Sequence, residues 1–162
     1  MKTTIKALVL IIIAISFTAC SKDDDGFETP TAIETVNING LETEILSLVN
    51  IHRESIGLNR VSVLTTAYSE ASNHTKYMIE QGKISHDNFE VRSRNLMTTA
   101  NAKVVLENVG AGYTTADSLM KAWLNSELHR KNIENSSVQF MGVSAQKSTT
   151  GSNFYTQIFI GR

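Results

Sequence analysis

Cysteine is nearly missing from this chain: of 162 residues only Cys20 is one. An intrachain disulfide framework and a multi-cysteine zinc site are therefore both excluded. Charge of one sign is missing too, with 15 Lys and Arg against 16 Asp and Glu. Without a basic excess the chain has no electrostatic footprint for nucleic acid, and that class of partner is excluded. Long hydrophobic runs are confined to Ala7–Ile15, nine residues against the roughly 20 that span a bilayer. Proline occurs once, at Pro30. What remains is 41% apolar and 19% charged, which suits one globular domain rather than a disordered chain.

The short apolar run has a function of its own. Lys2 and Lys6 precede it, and small Thr18 and Ala19 lead into Cys20. That is the anatomy of a signal peptide, residues 1–19. A small residue before Cys resembles the lipobox of bacterial lipoproteins, in which the peptide is cut before the Cys and the Cys is acylated. Phe17 stands where Leu is usual. Cys20 is thus the expected lipid attachment site, and several acyl chains hold a protein to a membrane far more firmly than one. Loss of Lys2 and Lys6 with the leader takes the net charge from −1 to −3. Residues 20–38 read as a tether. Asp23, Asp24 and Asp25 bury nothing, and Pro30 with several Thr continues the linker. The acidic run suits a solvated spacer, and it also resembles the tag of surface-exported lipoproteins.

Residues 39–162 carry the folding pattern. Asn39 and Glu42 form a capping-box entry to a helix with Leu41, Ile45, Leu48, Val49, His52 and Ile56 at helical spacing, closed by Gly57. A second helix fits Thr65–Gln81, its stripe being Ala67, Ala71, His74 and Met78, with Gly82 after it. Asp87 to Glu90 is expected to cap a third, running to about Met97. Thr114 or Thr115 caps a fourth, with Leu119, Met120, Trp123 and Leu124 inward. Val104–Val109 reads as a strand, and alternation at Met141, Val143, Ala145 and at Phe154, Thr156, Ile158, Ile160 predicts a closing hairpin. The class is α+β: a small antiparallel three-stranded sheet flanked by about four helices.

Candidate chemistry lies at element ends. His86 precedes the third helix, Glu107 sits in an apolar strand, and His129 follows the fourth helix. A carboxylate buried at Glu107 needs a cation, a donor or a metal. Two imidazoles and one carboxylate make a three-ligand zinc set with an open position. Spacings of 21 and 22 residues without a local ligand pair favour instead surface histidines and a salt-bridged Glu. His52 and His74 lie on apolar stripes and read as core histidines. Arg92 and Arg94 read as a solvated face. No Gly-x-Ser-x-Gly elbow is present, and Gly110-Ala-Gly112 lacks the third glycine of a dinucleotide loop.

Taken in order, five segments resemble the CAP superfamily (cysteine-rich secretory proteins, antigen 5 and pathogenesis-related proteins; the SCP domain) in its short bacterial form. They are Leu48–Arg53 with Gly57-Leu58; Ala71–His74 through Met78, Gly82 and Ser85-His86; Leu106–Asn108 with Gly110–Tyr113; Ala122–Ser126 with His129-Arg130 and Asn132-Ile133; and Gly142-Val143 with Tyr155–Phe159. The resemblance covers about Leu41 to Gly161. It implies an α-β-α sandwich and a cleft holding His86, Glu107 and His129, in some members with zinc or another divalent metal. Leu106 and Leu128 replace family glycines, and the second acidic position falls at Ser126, one place from Glu127. The expected function is a non-catalytic extracytoplasmic binding module for a lipid, glycan or protein, lipid-anchored to the outer membrane through Cys20. The alternative is a metal-dependent hydrolase in the same cleft, with Glu127 as base.

Overall fold

The computed structural model describes residues 38–162; the leader, Cys20 and the acidic run Asp23–Asp25 lie outside them. Five helices and four strands follow in chain order. They are α1 (Gly40–Ser55), β1 (Ser62–Val63), α2 (Thr65–Gln81), α3 (Phe89–Thr99), β2 (Val104–Ala111), α4 (Ala116–Asn125), α5 (Glu127–Ile133), β3 (Phe140–Lys147) and β4 (Asn153–Gly161). The class is α+β, as the patterning predicts. The sheet has four strands rather than three, in the order β1-β3-β4-β2. The added strand, β1, is two residues long and pairs parallel with β3, so the sheet is mixed.

Local chemistry sets the helix ends. The capping box at α1 is complete: Asn39 Oδ1 accepts from the Glu42 amide at 2.9 Å, and Glu42 Oε2 accepts from the Asn39 amide at 2.8 Å. The other oxygen of Glu42 accepts from the Ala145 amide at 2.9 Å, tying α1 to strand β3. Gly82 ends α2 in the left-handed region, at φ 68°. Thr115 caps α4 through the Ser118 amide. The expected cap at Asp87 does not form. The Asp87 carboxylate accepts instead from the Tyr77 hydroxyl at 3.1 Å, and Asn88, at φ 59°, turns the chain into α3 with no side-chain cap.

Strand alternation divides the core into two layers. Met141, Val143, Tyr155 and Phe159 pack with Ile45, Val49, Leu119 and Trp123 from α1 and α4. Ile158 and Ile160 face the other way and pack with Ala67, Ala71 and Leu96 from α2 and α3. The result is a helix-sheet-helix sandwich, consistent with the resemblance. Gly142 sets the spacing of α2: a Cβ there would lie 2.2 Å from the Ala67 carbonyl carbon and the Tyr68 nitrogen. In register, Glu107 pairs with Ile158 and so shares the α2–α3 face, whereas Asn108 pairs with Gln157 on the opposite face. Among the described residues, strand β2 pairs only with β4. Its outer edge is where the site is built.

Candidate functional site

Glu107 is the anchor of this edge. Its side chain is 2% exposed, so ionisation requires partners in place of water. Arg92 supplies them as a two-pronged clamp, Nε donating to Oε2 at 2.9 Å and Nη2 to Oε1 at 2.8 Å. A further Arg92 nitrogen, Nη1, donates to the Asp87 carbonyl at 2.6 Å and draws in the loop ahead of α3. His86 adds a third bond to the carboxylate, Nδ1 to Oε1 at 2.8 Å. Burial alone would push the Glu107 carboxyl up. The bonds from His86 and Arg92, with the guanidinium charge, outweigh it and hold the carboxyl below its ordinary range.

These bonds fix the proton positions. An ionised carboxylate only accepts, so His86 Nδ1 must donate; in the neutral ring that leaves Nε2 as an acceptor. The His86 side chain is 53% exposed and lines the smaller of two hollows beside β2. His74 is the buried histidine of the cluster. Nε2 donates to the Ser85 carbonyl at 2.7 Å and stands 3.9 Å from Glu107 Oε1. Burial pushes its ring below the usual histidine range. The core reading of His74 stands, bonded to backbone. His52, also read as core, is half-buried and pairs with Glu134 at 2.8 Å.

On the far side of β2, amides fasten α5. Asn132 Nδ2 donates to the Glu107 carbonyl at 3.0 Å and to Asn108 Oδ1 at 2.9 Å. Asn108 Nδ2 donates to Gln157 Oε1 and to the His129 carbonyl. These bonds position His129 beside the edge without using its ring. Burial, then the neighbouring charge of His86, pushes the His129 ring below the usual histidine range. Two hollows follow along β2. One, of about 210 Å³, is lined by His86, Phe89, Val105, Leu106, Glu107 and Asn132. The other, of about 260 Å³, lies against Val109–Ala111, Trp123 and His129.

The expected three ligands are not gathered around one point in this geometry. Among the described residues no group of three or more His, Cys, Asp or Glu side chains is placed to hold a metal ion. The reason lies in Arg92. Both oxygens of Glu107 are engaged by its guanidinium, and a cation would have to enter beside that positive charge. His86 and Glu107 line the smaller hollow and His129 lines the larger, and the residues present do not fit a divalent ion. The expected base is also misplaced. Glu127 is exposed and pairs with Lys131 at 2.7 Å. Leu128, 74% exposed, stays out of the cleft, while Leu106 lines the smaller hollow.

Arg92 is the residue that sequence reasoning placed wrongly. It is 6% exposed, whereas Arg94 is exposed as expected. The signal was present: Arg92 lies four residues before the buried Leu96, on the same helix face, and Glu107 required a donor.

Comparisons with known proteins agree with the fold. The model of the family described as "Cysteine-rich secretory protein family", CAP, matches residues 46–159. YkwD of Bacillus subtilis (strain 168) is 29% identical over 129 residues, 78% of this chain and 49% of its own length. The membrane protein YlbC of the same strain is 29% identical over 124 residues, covering 75% of this chain and 34% of its own. This chain therefore spans half or less of the curated relatives it matches. An extracellular SCP-domain protein from Bacillus anthracis str. Ames superposes with a TM-score of 0.66 at 29% identity, over 76% of this chain and 41% of that one. An outer surface protein from Borrelia burgdorferi gives 0.68 at 20% identity, over 74% and 91%, and shares the fold alone. No described helix is long and apolar enough to cross a membrane.

Proposed function

Since this chain belongs to the cysteine-rich secretory protein (CAP) family, we propose that it is an extracytoplasmic binding module, tethered through Cys20 to the outer membrane, that takes a lipid, glycan or protein ligand in the cleft along β2. One observation carries the reading. The buried carboxylate of the cleft is committed to Arg92 and His86, so it is spent on architecture rather than on proton transfer. What remains for a ligand is a preorganised rim: the His86 Nε2 edge, the half-buried His129 ring, and the apolar side chains of Phe89 and Leu106. Such a mixture of apolar wall and few fixed polar groups suits binding. The hydrolase alternative loses support, because Glu127 faces solvent beside Lys131.

The location rests on the leader. Extracellular and outer-surface proteins of other bacteria with this fold are in keeping with it. Cys20→Ala should shift the protein from the membrane to the soluble fraction on cell fractionation. Retention in membranes would defeat the anchor.

Binding is tested by extracting the full-length protein in mild detergent and identifying retained small molecules, glycans and proteins by mass spectrometry. His86→Ala removes an exposed ring and leaves the Arg92 clamp in place. It should lower the retained amount of the specific ligand by roughly fivefold, as loss of one good hydrogen bond does. Equal retention by both proteins would contradict the reading, and conversion of the retained molecule by the wild type alone would restore the hydrolase.

A further inference from the structure

Strand β2 leaves part of its outer edge open. In an antiparallel pair, residues that exchange both main-chain bonds with the partner alternate with residues whose main chain points away. Gly112 donates to the Asn153 carbonyl at 2.9 Å, continuing a register in which the even-numbered residues of β2 bond to β4. The odd-numbered residues turn outward, and two of their carbonyls are already taken. Asn132 donates to Glu107 at 3.0 Å and the Trp123 indole to Val109 at 3.1 Å, and both acceptor residues are buried. Val105 differs. It is half-buried and lines the smaller hollow, and among the described residues its outward N–H and C=O have no hydrogen-bond partner. At the far end, Ala111 is followed by the turn at Gly112, φ 84°, which ends the strand.

An unpaired N–H and C=O on an edge strand are a template for another main chain, and one antiparallel residue satisfies both at once. The hollow beside them, about 210 Å³, is walled by His86, Phe89 and Asn132. Because Asn132 occupies the next outward carbonyl, the contact is short, a few residues at most. Charge sets its character. Lys103, two places before Val105, is exposed and meets no carboxylate among the described residues. Arg162 follows Gly161, the register partner of Val104, and its guanidinium lies 4.6 Å over the Phe140 ring rather than against an acid. Glu107, by contrast, is neutralised by Arg92. This end of the edge is therefore basic.

We infer that the edge at Val105 is a strand-addition site for a short extended peptide of a partner protein. One peptide residue pairs antiparallel with Val105, and an acidic residue two places further on lies beside Lys103. The inference rests on the binding reading above and names the ligand as polypeptide. A lipid tail has neither donor nor acceptor for the Val105 main chain, and a basic peptide would meet like charge at Lys103.

The test titrates isotope-labelled full-length protein with the blocked peptide acetyl-Ser-Thr-Val-Thr-Glu-amide, followed by NMR. The Val105 amide should shift saturably and exchange more slowly with solvent, with a dissociation constant on the order of a millimolar. The same peptide N-methylated at its valine cannot donate to the Val105 carbonyl and should bind roughly tenfold more weakly. Lysine in place of its glutamate should weaken binding about threefold, and Lys103→Glu should reverse that preference. Val105→Pro removes only an outward N–H, which an edge strand tolerates, and should abolish the response at the Leu106 amide. Equal binding of the N-methylated peptide, shifts centred away from Val104 to Leu106, or no saturable response would overturn the inference. Ligand capture by wild type and His86→Ala is a separate readout, so the binding module survives if only this edge fails.

Discussion

Arg92→Met should destabilise the protein by about 3–5 kcal/mol, the usual cost of removing one partner of a buried ion pair. The loss follows from what stays behind. Glu107 is 2% exposed at its side chain, and without the clamp it keeps only the His86 bond, with His74 Nε2 3.9 Å away. The carbonyl of Asp87 also loses its donor, so the loop ahead of α3 is released. Methionine matches the aliphatic stem and supplies no charge, which separates electrostatics from packing. Adding Glu107→Gln to Arg92→Met removes the stranded charge and should restore at least about 2 kcal/mol. Urea unfolding of the single and double variants, followed by Trp123 emission, measures both steps. Full additivity would mean that the two side chains act independently and would contradict the clamp.

A comparable loss, about 3–5 kcal/mol, is expected for Arg53→Leu, for a different reason. Arg53 is fully buried, and its guanidinium meets carbonyl oxygens only. Nε donates to Asn59, Nη1 to Ile133 and Asn135, and Nη2 to Val138, at 2.7 to 3.4 Å. Burial pushes this guanidinium below its ordinary value. The cation thus staples the end of α1 to the segment after α5, and removing it orphans several backbone acceptors at once. Arg53→Lys keeps the charge but not the fork, so it should recover only part of the loss. Thermal unfolding ranks the three proteins, and a Lys variant equal to wild type would show that the geometry is irrelevant.

The parts of this structure legible in the sequence are those set by local rules. Asn39 and Glu42 cap α1 three residues apart, and Gly82 ends α2 where a left-handed residue is required. The hairpin of β3 and β4 follows from alternation across a short turn. The parts not legible depend on distant partners. Strand β1 is too short to show a period and exists because Leu64 and Ser62 donate to the β3 segment. Helix α5 has no cap of its own, and its attachment to β2 comes from Asn108 and Asn132. Asp87 has the chemistry of a capping residue, but Tyr77 of α2, ten residues back in the chain, takes its carboxylate.

The site divides the same way. A carboxylate in an apolar strand announces that Glu107 has a partner, and the family motifs locate His86 and His129 beside it. Which partner it has is decided by the turn of α3, which brings Arg92 inward over the strand. A clamp and a metal make opposite demands on the same oxygens. In the structure both oxygens are taken by the arginine.

The most direct test is therefore the titration of Glu107 itself, followed through its side-chain carboxyl carbon by NMR in the full-length protein. A carboxylate held by Arg92 and His86 should titrate below the ordinary glutamate value. The sign for stability follows: the lock contributes fully above the unfolded-state value and is lost as pH falls through the depressed one. A midpoint raised towards neutrality, as a proton-transferring carboxyl would show, would contradict the clamp and the non-catalytic reading built on it.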